Sequence, residues 1–174
     1  MTVGLVLLTS STLSGCALWN RWFAPEPEQP AHPPRPSYDL VASIRATGNN
    51  EKSVIDVNPL RDPGVAALQD AAQADDRAGR YDDAASKLDQ AIKLSPSSPD
   101  LLQERAEIAV RLKDYPGAEK LAHRSWELGP RFGPLCARNW QTVVEMRLQS
   151  DDEAGANTAR EQVKQCHKAG VNRF

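Results

Sequence analysis

The sequence predicts an all-α protein, a short array of antiparallel helix pairs, about three of them, stacked side by side. Two observations predict it. Residues 65–98 lie over residues 99–132 without a gap and with eight identities, where average composition gives roughly two. Within both copies, small and apolar residues recur at three- and four-residue spacing, with Pro and Gly at the borders. The totals agree with one domain carrying extra segments: 174 residues, 25% charged, net charge −2, 13 Pro and three Cys. No basic excess points to nucleic acid.

The chain opens on MTVGLVLLTSSTLSG, residues 1–15, without a charged side chain and with an apolar run from Val3 to Leu8. The run is far short of the roughly 20 apolar residues that cross a bilayer and has the length of a secretory apolar segment followed by small residues. Leu13-Ser14-Gly15-Cys16 resembles the bacterial lipobox. The resemblance implies cleavage before Cys16, lipidation of that thiol and stable anchoring through several acyl chains. Ala17 after the cysteine implies the outer membrane, with the protein facing the periplasm. No Lys or Arg precedes the apolar run, a departure from the usual signal.

Residues 16–37 form the expected lipidated N-terminus and spacer. Trp19, Trp22 and Phe23 are placed to sit among lipid headgroups. Residues 24–37 hold six prolines, few backbone donors and no core-forming residues, so an extended polyproline-like spacer of roughly 40 Å is expected at ~3.1 Å per residue. In residues 38–61, Leu40, Ala42 and Ile44 alternate with other residues, and Val54, Ile55 and Val57 follow a turn-rich TGNNEKS. A short β-hairpin, an irregular strand or a continuation of the spacer all fit.

The helical domain is expected over 62–168, with a tail at 169–174. Asp62-Pro63 is an N-cap followed by proline at the first helical position. Leu68, Ala71, Ala72 and Ala78 continue that helix until Gly79. A second helix starts near Tyr81, carries Ala84, Leu88, Ala91 and Ile92 on one face, and stops at Ser95-Pro96. The second copy opens at Ser98-Pro99, turns at Asp114 and Pro116, and closes at Leu128-Gly129-Pro130. A third, degraded unit starts at Gly133-Pro134, its inner turn set about two residues later than in the others. Ser150-x-x-Glu153 reads as a capping box for the last helix, with Ala156, Ala159, Val163 and Cys166 on one face.

These positions resemble the tetratricopeptide repeat. Small residues stand where its two helices cross, here Ala72 and Ala84, then Ala106 and Ala118, and a proline closes each repeat. Small side chains let helix axes approach. Each unit can bury its apolar face only against the next, which is why the pattern repeats.

Cys136 begins one helix and Cys166 ends its antiparallel partner, so in an oxidising periplasm a disulfide is expected. Two buried thiols are the alternative. A metal site with His167 lacks the usual ligand spacing, no cofactor is implied, and no nucleophile–base–carboxylate spacing or phosphate loop marks an enzyme. The resemblance implies a groove lined by the first helix of each pair. Its candidate residues are Gln69, Asp70, Gln73, Asp76 and Arg77, then Gln103, Glu107, Val110 and Arg111, then Arg138, Gln141 and Glu145. Their mixed polarity predicts an extended polar peptide as ligand. The Lys and Asn set of the carboxylate-clamp variety is missing. The expected function is non-catalytic: binding another envelope protein or peptide segment in cell-envelope assembly. The alternatives are a structural or homo-oligomeric subunit of an envelope machine, or an accessory regulator of a cell-wall enzyme.

Overall fold

In the computed structural model, residues 37–52 and 62–167 are described. The signal segment, Cys16, the three aromatic residues after it, the spacer before Ser37, the segment with Val54, Ile55 and Val57, and the tail lie outside them. The described residues from Tyr38 onward belong to one compact unit. They form α1 (Leu40–Asn50), α2 (Pro63–Arg77), α3 (Tyr81–Leu94), α4 (Pro99–Arg111), α5 (Tyr115–Leu128), α6 (Pro134–Gln149) and α7 (Glu153–Gln165), with no strand among them.

The pairs α2/α3, α4/α5 and α6/α7 pack as hairpins, and α3 on α4 and α5 on α6 join them into an array. The small residues named from the sequence for these crossings, Ala72, Ala84, Ala106 and Ala118, are all buried to within 1% of complete burial. Larger side chains fill the spaces between, with Leu88, Leu101 and Ile108 in one cluster and Val143 and Val144 with Ala106 and Ala159 in another. Burial of each such aliphatic side chain contributes about 1.5–3 kcal/mol.

The inner turns share one local solution. Gly79, Lys113 and Asp151 all take positive φ, at 75°, 62° and 59°. The next amide in each case bonds back across the helix end: Arg80 N to Asp75 O, Asp114 N to Ala109 O and Asp152 N to Arg147 O, each 2.9 Å. This is the left-handed helix stop that satisfies otherwise orphaned carbonyls. Asp62, Asp114 and Asp152 then cap the helices that follow, accepting from Gly64 N, Gly117 N and Gly155 N.

Two expectations change. Residues 40–50 form a helix and not a hairpin or strand, because Asp39 caps Ala42 N at 3.0 Å and Val41, Ile44 and Gly48 share one buried face. The last helix is capped by Asp152, whereas the Ser150 hydroxyl donates backward to the Arg147 and Met146 carbonyls, so Ser150 ends α6. The third inner turn does come later in its unit, as expected: α6 runs 16 residues where α2 runs 15 and α4 runs 13.

Cys136 and Cys166 are joined in a disulfide with Cα atoms 5.6 Å apart. It ties the start of α6 to the end of α7, and Gly133 N donates to Cys166 O at 2.8 Å across the same junction. Trp140 packs edge-on against Trp126 and His123 beside it.

Candidate functional site: a groove holding its own helix

The first helices of the pairs, α2, α4 and α6, supply one face, and α1 lies on it. Its backbone packs against α6 and α4, while α2, the next helix in the chain, is reached through the Arg45 side chain. Val41 and Ile44 are buried among Ala109, Val110, Ala118 and Met146. Gly48 is needed at the closest approach: a Cβ there would stand 2.4 Å from Arg138 Cγ and 3.0 Å from the Pro134 carbonyl.

Polar contacts surround this apolar centre. Arg45 donates from Nε to Glu107 Oε2 and from a terminal nitrogen to Asp76 Oδ2, both at 2.7 Å. Glu107 is fully buried and also accepts from Arg138 Nε at 3.0 Å and Gln103 Nε2 at 3.0 Å. A second buried carboxylate, Glu145, accepts from Tyr38 OH, Ser43 Oγ and Gln141 Nε2. Arg111 grips both oxygens of Asp39 at 2.7 and 2.8 Å. Burial works against the Asp39 charge, but the Arg111 guanidinium and the Ala42 amide hold its carboxyl below the ordinary value. Burial likewise opposes the charge on Arg45, and Glu107 and Asp76 overcome it, raising its pKa.

Beside the C-terminal end of α1 the face opens into a cleft of about 330 Å³, lined by Asn49, Gln73, Asp76, Arg77, Glu104 and Arg138 among others. Glu104 accepts from Gln69 Nε2 at 2.6 Å and Gln73 Nε2 at 3.1 Å, and burial pushes its carboxyl above the ordinary value.

The residues named from sequence thus fall into three groups, with Asp70 outside them. Glu107, Arg111, Arg138 and Gln141, with Asp76, Val110 and Glu145, hold or support α1. Gln73 and Arg77 line the open cleft, with Arg77 exposed. Gln69 and Gln103 are buried, Gln103 completely, and brace carboxylates, with Gln103 also donating to Thr142 Oγ1 at 2.9 Å. Asp70 is exposed. Sequence reasoning missed Tyr38, Asp39, Ser43 and Arg45. The usable signal was Asp39 as a cap before aliphatic positions three apart, which an alternating reading of Leu40, Ala42 and Ile44 obscured.

The class of fold is therefore an all-α, tetratricopeptide-like array with an additional helix lying on the face formed by the first helices of the pairs. The tetratricopeptide repeat family profile matches residues 77–135, which run from the end of α2 to the start of α6. Among solved structures, the globular C-terminal domain of P. aeruginosa LpoP is similar, at 28% identity and a TM-score of 0.57, over 60% of this chain and 99% of that one. No curated protein matches the sequence.

Proposed function

We propose that this chain is a lipid-anchored, outer-membrane protein whose periplasmic helical domain binds another envelope protein at the groove, without catalysis. One observation supports the reading: the groove face has the polar and apolar chemistry to hold a helix, since α1 of this chain and the residues just before it are held there by Glu107, Glu145, Asp76 and Arg111. The likeness to a domain described as globular and C-terminal supports the same order of parts, a helical module following an N-terminal leader and spacer. Cys16 is the lipidation site in this reading, and the spacer sets the module's distance from the membrane.

Crosslinking in intact cells, followed by capture of the chain and mass spectrometry, tests it. An Arg77→Glu variant runs beside the wild type, because Arg77 lines the open cleft without holding α1. Capture of one envelope protein, lost with Arg77→Glu, supports the adaptor. A second reading, a structural subunit without a separable ligand, is favoured by the fact that α1 already fills much of the groove. Self-crosslinks alone, unchanged by the variant, would select it.

A further inference from the structure

We propose that the groove is a receptor for an arginine-bearing amphipathic helix, that α1 is its resident occupant, and that the partner supplies a helix of the same chemistry in its place. This rests on the reading that the partner binds at the groove, and it replaces the expected extended peptide with a helix.

The recognition pattern is visible in α1. Val41, Ile44, Arg45 and Gly48 stand at i, i+3, i+4 and i+7, the spacing of anchors on one face of a groove-bound helix. Two aliphatic anchors fill the pocket over Val110 and Met146. The arginine enters between Glu107 and Asp76. A hydroxyl from Ser43 reaches Glu145. The small residue passes the stem of Arg138, where a side chain would collide. A partner helix is thus expected to carry two aliphatic residues three apart, a hydroxyl between them, an arginine directly after the second and glycine three further on.

The hold on α1 suits exchange. An isolated helix of 11 residues is below the ~12–15 that are even marginally stable in water. It adds Val41 and Ile44, with Leu40 partly buried beside them, to a core that α2 to α7 otherwise build among themselves. Its remaining grip is ionic and hydrogen-bonded, and such contacts, once traded for water or for a competitor's equivalents, return little net free energy. When α1 leaves, Glu107 and Glu145 face an open groove, in which an incoming arginine and hydroxyl restore what was lost.

The test uses the full chain and a fluorescent peptide of residues 38–52 as the probe. In the wild-type chain α1 competes with the peptide. In an Arg45→Glu chain α1 is repelled by Glu107 and Asp76, and the groove is free for the wild-type peptide. The expected result is binding at least about tenfold tighter to the Arg45→Glu chain, since apparent affinity scales with the fraction of open groove. A peptide carrying Arg45→Glu is expected to bind neither chain. A Ser43→Glu chain, which sets a carboxylate against Glu145, provides a second release should Arg45→Glu disturb the fold by circular dichroism. Equal binding to wild-type and released chains, or binding indifferent to the peptide's arginine, overturns the proposal. Peptide binding with no partner captured in cells would leave the helix receptor standing and remove the adaptor function. Capture of a partner without peptide binding would do the reverse.

Discussion

Arg45 of α1 reaches Glu107 of α4 at 2.7 Å across 62 residues of sequence. The carboxylate is fully buried while the arginine side chain is 40% exposed, so one partner is desolvated and the other half in water. Arg45→Ala leaves Glu107 with Arg138 and Gln103. The loss is therefore below the 3–5 kcal/mol of a fully buried pair, at about 1–2 kcal/mol. Urea unfolding at low and high salt checks this: the gap between wild type and variant is expected to narrow as salt screens the exposed side.

Gly48→Ala is expected to destabilise the protein by about 1–3 kcal/mol through overpacking, although alanine is by propensity the better helix residue by about 1 kcal/mol. The added methyl meets Arg138 carbon atoms and the Pro134 carbonyl. Arg138 can shift only by loosening its bonds to Glu107. Thermal unfolding of the variant checks the sign, since a gain would mean that α1 does not sit this close.

Most of the array was legible in the sequence because its repeat is enforced by packing. Ala72 and Ala106, or Ala84 and Ala118, are buried at matching places one unit apart, so helix crossings need no long-range knowledge. The Cys136–Cys166 pair was legible for a similar reason, as the two ends of one hairpin. The groove's occupant was not. α1 is short, its pattern fits period two as well as a helix, and its partners Glu107 and Glu145 are 62 and 102 residues away from Arg45 and Ser43. Ser150 misled because Asp152, two residues on, offers a carboxylate to the same helix start.

Reducing the disulfide, or replacing Cys136 and Cys166 with serine, is expected to cost roughly 3–4 kcal/mol in the chain-entropy model for a loop of this length. The two cysteines are 30 residues apart. Unfolding curves with and without reductant measure the cost. The loss should appear first in exchange of α6 and α7 amides, while α2 and α3 keep their protection.

Glu104→Gln should stabilise the protein at neutral pH. Burial raises the Glu104 carboxyl above its ordinary value, so the folded state holds its proton more tightly than the unfolded one. Its contribution to stability is greatest below the ordinary carboxyl range and falls as pH rises through the folded value. A glutamine keeps an acceptor for Gln69 and Gln73 without the charge. Urea midpoints against pH are expected to show the variant ahead at pH 7, with the advantage gone near pH 3.

Hydrogen exchange of the Leu40–Asn50 amides tests the central claim most directly. The account predicts protection of α1 in the wild-type chain, and loss of that protection in Arg45→Glu while α4 and α6 stay protected. An α1 that exchanges freely in the wild type, or one as protected in Arg45→Glu as in the wild type, would contradict a groove held closed by its own helix.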